Sequence, residues 1–94
     1  DLWLKNARHA NEMAQLLASE LEKISEITIT QKVQANAVFA IFPEAIIPAV
    51  QEKWYFYVWN ERSSEVRLMT SFDTTKKEVK NFATAIKDAL SRSQ

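Results

Sequence analysis

The sequence predicts an α+β domain, a mostly antiparallel four-stranded sheet with helices packed on one face. Three observations predict it. Long stretches at both ends space their apolar residues by three and four, the period of a one-sided helix. Four short runs between them are rich in β-branched and aromatic residues, and several alternate in polarity. The resulting order is helix, strand, strand, helix, strand, strand, helix. No repeat or linker interrupts it, so residues 1–94 read as one small domain.

The first helix is expected over Leu2 to Ile24. Trp3, Ala7, Ala10, Met13, Ala14, Leu17, Leu21 and Ile24 form its apolar face, and Lys5, Arg8, Glu12, Ser19, Glu22 and Lys23 the opposite one. "SEITITQ" follows as a short half-buried strand, with Ile27 and Ile29 alternating against Glu26, Thr28 and Thr30. "KVQA" links it to "NAVFAIF", Asn36 to Phe42. This run is almost wholly apolar and is placed as a central strand covered on both sides.

Pro43 ends that strand and opens a second helix, "PEAIIPAVQEKW". Pro48 removes a backbone donor inside it, so this helix is short, kinked or starts later. In "WYFYVWN", Tyr55, Tyr57 and Trp59 point one way, and Trp54, Phe56 and Val58 the other. The polar turn "NERSSE" leads into "VRLMTS", antiparallel to the strand before it. Val66, Leu68 and Thr70 share one face of this last strand; Arg67, Met69 and Ser71 share the other. The closing helix carries the buried stripe Val79, Phe82, Ala83, Ile86, Ala89 and Leu90. Thr75 and Glu78 have the spacing of a capping box.

Composition excludes several function classes. Twelve Lys plus Arg balance twelve Asp plus Glu, so the basic footprint of a nucleic-acid or anionic-membrane binder is missing. No cysteine is present, which removes disulfide and thiolate-metal frameworks and suits a cytoplasmic setting. No glycine is present either, so phosphate loops and dinucleotide fingerprints are excluded. No apolar run approaches the ~20 residues of a membrane span. The chain opens at "DLWLKNARHA", already in helical rhythm and without Met, as an excised piece of a longer protein would. A processed small protein is the other explanation.

The side chains offer little catalytic equipment. His9 is the one histidine, and Glu12 is its one local carboxylate; the ordinary reading is a helix-surface histidine. Ser25, Ser63, Ser64 and Ser71 have neither a nucleophile elbow nor a nearby His. Trp54, Tyr55, Phe56, Tyr57 and Trp59 suit core and interface packing, since no basic stripe accompanies them. Asn36 reads as a turn residue. Arg67 is the residue left over, a permanent cation between Val66 and Leu68. Its ordinary reading is an edge or surface Arg whose stem covers Met69, with Glu65 as the available partner. Catalytic, metal and cofactor-binding residues are not assigned.

The order of residues adds a resemblance. "EVRLMTSFDTTKKEVKNFATAIKDAL" resembles the C-terminal end of low-specificity threonine aldolases, pyridoxal-phosphate enzymes of the aspartate-aminotransferase-like fold. The family's last strand has an Arg, an apolar pair and a Thr, then an Asp-Thr/Val-Thr/Ser step into a final helix. Here these are Arg67, Leu68-Met69, Thr70 and Asp73-Thr74-Thr75. "QANAVFAIF" is similar to the family's Asn-led apolar strand, and "LKNARHANEMAQLLASEL" to its long helix leading into the small domain. Where the family has a Pro-Gly-type turn, this chain reads "KISEIT".

The resemblance implies the C-terminal domain of a longer lyase that cleaves a β-hydroxy-α-amino acid to glycine and an aldehyde. It implies Arg67 as the ligand of the substrate α-carboxylate. The cofactor's Schiff-base Lys, its pyridine Asp and its phosphate cradle belong to a large domain outside these residues. Lys32 and Lys53 have no matching context. This chain alone is therefore expected to bind no pyridoxal phosphate and to be inactive. Its partners are expected to be the large domain of the same chain, a small amino-acid substrate and further copies in a homo-oligomer. The alternative is a free-standing α+β interaction domain without catalysis, whose aromatic sheet face binds a protein.

Overall fold

The computed structural model describes residues 1–33 and 35–93. Gln34, in the "KVQA" link, lies outside the described residues. The elements are α1 (Leu2–Glu22), β1 (Thr28–Ile29), β2 (Ala37–Ile41), a 3₁₀ turn (Glu44–Ile46) running into α2 (Ile47–Gln51), β3 (Tyr57–Asn60), β4 (Glu65–Met69) and α3 (Lys76–Arg92). The expected order and class hold. The sheet has four strands in the order β1-β2-β4-β3, and every pairing is antiparallel.

One face of the sheet lies under the helices. Val38 and Ala40 of β2 and Val66 and Leu68 of β4 are fully buried against Leu17 and Leu21 of α1 and Val79 and Ile86 of α3, in one hydrophobic core. Burying each of the Val, Leu and Ile side chains stabilises by about 1.5–3 kcal/mol before entropy is subtracted.

Three details differ from the sequence expectation. α1 ends at Glu22, and Ile24 is buried beyond it in a turn. That turn closes through Ile27 N–H to the Ile24 carbonyl, 3.1 Å, without a left-handed residue. Trp3 and Ala7 belong to the apolar stripe by spacing, yet both are exposed; α1 meets the core only from Ala10 onward. β2 is central but only half covered, because Phe39 and Ile41 on its far face keep solvent access. The second helix is short and starts late, as Pro48 predicts: α2 begins at Ile47, which puts Pro48 in its first turn, where the missing donor does no harm.

The N-terminal ends of α1 and α3 are capped by side chains. Asp1 Oδ1 accepts from Trp3 N–H at 2.9 Å. Thr75 Oγ1 accepts from Glu78 N–H at 3.1 Å while Glu78 Oε1 accepts from Thr75 N–H at 3.0 Å, a complete capping box.

Candidate functional site

Alternation along β4 decides which side chains reach the open face. Val66, Leu68 and Thr70 point into the core at 0%, 0% and 2% exposure, so Arg67 and Met69 must point away from the helices. β4 is an inner strand, with β2 on one side and β3 on the other. Across the ladder Arg67 is flanked by Phe39 of β2 and Tyr57 of β3. The cation therefore sits mid-sheet, held by a backbone paired on both sides.

An aromatic ring rests against it. The Arg67 Cζ lies 5.2 Å from the centroid of the Trp59 indole, within cation–π range. The same indole meets Phe39 edge-on, with centroids 5.4 Å apart. The Arg67 Nε is shut off from solvent and has no hydrogen-bond partner among the described residues. Such an orphan donor costs about 1–3 kcal/mol unless something completes it.

Among the described residues no carboxylate takes that place. Glu65, the acid proposed from sequence as a partner, accepts instead from Thr30 Oγ1 at 2.5 Å. Among the described residues the one ion pair is Lys23 with Glu20 on α1, 2.8 Å apart. The hydrogen bond from Lys23 holds the Glu20 carboxyl below its ordinary range. Around Arg67 the open face is aromatic and exposed, with Tyr55, Tyr57, Trp59 and Phe72 all more than half accessible.

The other candidates resolve into structural roles. His9 is half-buried and its Nε2 donates to the Thr74 carbonyl at 2.5 Å, which ties α1 to the start of α3. Glu12 makes no hydrogen bond with it among the described residues. Asn36 Nδ2 donates to the Thr70 carbonyl at 2.7 Å, a backbone clamp. Ser71 Oγ donates to Asp73, and Ser25 Oγ to Glu26. Trp54 and Phe56 join the packed side of the hairpin, Trp54 against Phe82 and Phe56 against Phe42. The contact of Trp59 with Arg67 is not legible in the sequence, since it depends on the register in which β3 pairs with β4.

A cavity of about 460 Å³ lies where α3 meets the end of β4, lined by Lys53, Trp54, Ser71, Asp73, Glu78 and Asn81 among others. Arg67 is not in its wall. No group of three or more His, Cys, Asp or Glu side chains gathers among the described residues. No described helix is long and apolar enough to cross a membrane.

The residues present do not fit pyridoxal phosphate. Every lysine is exposed, whereas a Schiff-base lysine is activated by being drawn out of water. The N-terminus of α3, the natural seat for a phosphate on a helix end, is filled by its own Glu78 carboxylate. No step through the cofactor is derived from these residues.

No protein-family model matches the chain. Relatives at the sequence level do. The chain is 37% identical over 90 residues to a protein of Pseudomonas sp. named low specificity L-threonine aldolase. It is 34% identical over 88 residues to a Pseudomonas aeruginosa protein of the same name. These matches cover 95% and 93% of this chain but only 26% and 25% of the relatives, so the chain spans about a quarter of their length. The resemblance to low-specificity threonine aldolases thus extends along nearly the whole length of the chain. The fold is similar to that of a NifS-like protein from Rickettsia africae, with a TM-score of 0.72 at 15% identity. That likeness covers 92% of this chain and 29% of the other.

Proposed function

We propose that these 94 residues are the C-terminal small domain of a pyridoxal-phosphate-dependent lyase that cleaves a β-hydroxy-α-amino acid to glycine and an aldehyde, with Arg67 binding the substrate α-carboxylate. The observation that carries this reading is Arg67 itself. It is a cation at the middle of a rigid sheet, on the open face, with no protein carboxylate engaging it among the described residues. A guanidinium gives a carboxylate two parallel charge-assisted bonds. A backbone paired on both sides fixes where that carboxylate, and hence the substrate Cα, can sit.

The names of the two Pseudomonas relatives support the lyase assignment. Because the cofactor does not fit here, its chemistry is assigned to the three quarters of the relatives' length that this chain does not span. The role of this chain is to bind and orient the substrate and to supply one wall of the site. The exposed aromatics of the open face suit packing against that larger part, which would keep water from the Arg67 ion pair. The same aromatics support the second reading, a free-standing interaction domain. A pyridoxal-Lys domain in the same reading frame separates the two.

The test is Arg67→Ala in the full-length parent protein. The expected result is a KM for the amino-acid substrate raised by about 10- to 100-fold. The cofactor's absorbance band should be unchanged. An Arg67→Ala enzyme with parental kinetics would overturn the reading.

A further inference from the structure

We infer that Trp59 is a positioning residue for the Arg67 guanidinium, a neutral platform that holds the fork in place for a carboxylate; this rests on the carboxylate reading of Arg67. Three observations point to it.

The first is the backbone of β3. Val58 pairs with Val66, and Asn60 pairs with the next residue of β4, Glu65. Two residues of β3 thus oppose one of β4, and Trp59 is the extra residue of a bulge. A bulge bends and twists its strand and re-aims the side chain it carries. Here the indole is turned inward over the neighbouring strand.

The second is its reach. Trp59 starts from the edge strand, yet its ring touches Arg67 on β4 and Phe39 on β2, at 5.2 Å and 5.4 Å between the reference centres. The indole therefore crosses the sheet above the guanidinium, and Phe39 braces it edge-on.

The third is the choice of anchor. A long Arg side chain loses rotamer freedom when it is fixed, so something must hold it. An acidic neighbour would hold it but would also occupy the bonds that a ligand needs. The acid one step along the strand, Glu65, is instead engaged by Thr30. An aromatic face attracts the cation without using its in-plane donors. Trp59 thus holds Arg67 and leaves the fork for the ligand.

The experiment is a double-mutant cycle in the full-length parent protein, using Trp59→Leu, Trp59→Phe and Arg67→Ala. Trp59→Leu should raise the KM for the amino-acid substrate by about 2- to 30-fold. Its kcat, cofactor absorbance and thermal unfolding should stay at parental values. Trp59→Phe, which keeps a ring, should recover most of the loss. In the Arg67→Ala background, Trp59→Leu should add nothing. If Trp59→Leu leaves KM unchanged, or shifts it equally in both backgrounds, Trp59 does not act through Arg67. If Arg67→Ala is itself silent, the carboxylate reading fails first, and the role of Trp59 with it.

Discussion

Asn36 and Thr70 close the sheet by a reciprocal exchange: Thr70 N–H donates to the Asn36 carbonyl at 2.9 Å, and Asn36 Nδ2 donates to the Thr70 carbonyl at 2.7 Å. The Thr70 hydroxyl adds a third tie, donating to the Ala10 carbonyl of α1 at 2.6 Å. Thr70 is 2% exposed, so water cannot replace that bond. Thr70→Val keeps the shape and removes the donor, leaving a buried carbonyl less well satisfied. It should destabilise the domain by about 1–3 kcal/mol in urea unfolding. A midpoint equal to the parent's would show that the bond carries no net stability.

The capping box gives a second stability prediction. Thr75→Ala removes the acceptor of Glu78 N–H and frees the Glu78 side chain that reaches back. It should cost about 0.5–2 kcal/mol. Thr75→Ser, which keeps the hydroxyl, should stay close to the parent.

Backbone strain predicts a gain. Ala35 and Ser64 adopt left-handed φ of 52° and 60° in a chain that has no glycine. A Cβ in that region costs about 1–2 kcal/mol, part of which glycine returns as unfolded-state entropy. Ser64→Gly, in the turn between β3 and β4, should therefore raise stability by about 0.5–1 kcal/mol. A lowered thermal midpoint would count against a strained turn.

These same residues show what the sequence could and could not reveal. Alternation is a local property, so Val66, Leu68 and Thr70 inward and Arg67 outward were legible from β4 alone, and so was the Thr75–Glu78 cap. Strand order was not. Which strand lies between which depends on long-range pairing, and nothing in "NAVFAIF" says that it adds to β4 rather than β3. The α1 stripe was misjudged at Trp3 and Ala7 because periodicity records an apolar face, not what covers it. The bulge at Trp59 was not legible, since a one-residue shift leaves no composition signal where no Gly marks it. The role of Arg67 came from resemblance to a family, since an isolated Arg in a strand has many uses.

Exposed apolar area predicts self-association of the 94-residue chain on its own. Leu2 and Trp3 at the start of α1 and Tyr55, Tyr57, Trp59 and Phe72 on or near the open sheet face are all accessible. A monomer seldom leaves that much apolar surface bare. Sedimentation at increasing concentration should show species larger than one chain. Strict monomer behaviour at the highest concentration would remove this expectation, and with it an argument for homo-oligomers.

The most discriminating single change is Arg67→Lys in the parent protein. It keeps a positive charge on the open face, so any effect that depends on charge alone survives it. It loses the planar fork, and with it the two parallel bonds to a carboxylate. It also gives up the flat face that now lies 5.2 Å from the centroid of Trp59. A lysine ammonium carries a tighter hydration shell and a more flexible stem, so it would be less well fixed over the indole. Substrate binding should weaken by about 1.5–3 kcal/mol, while cofactor loading stays at the parental level. Loading is the control, because the residues that would hold the cofactor lie outside this chain in the proposed arrangement. If Arg67→Lys keeps parental affinity while Arg67→Ala loses it, charge alone suffices and the bidentate geometry is wrong. If both keep it, the carboxylate is bound elsewhere and Arg67 serves the packing of the sheet face.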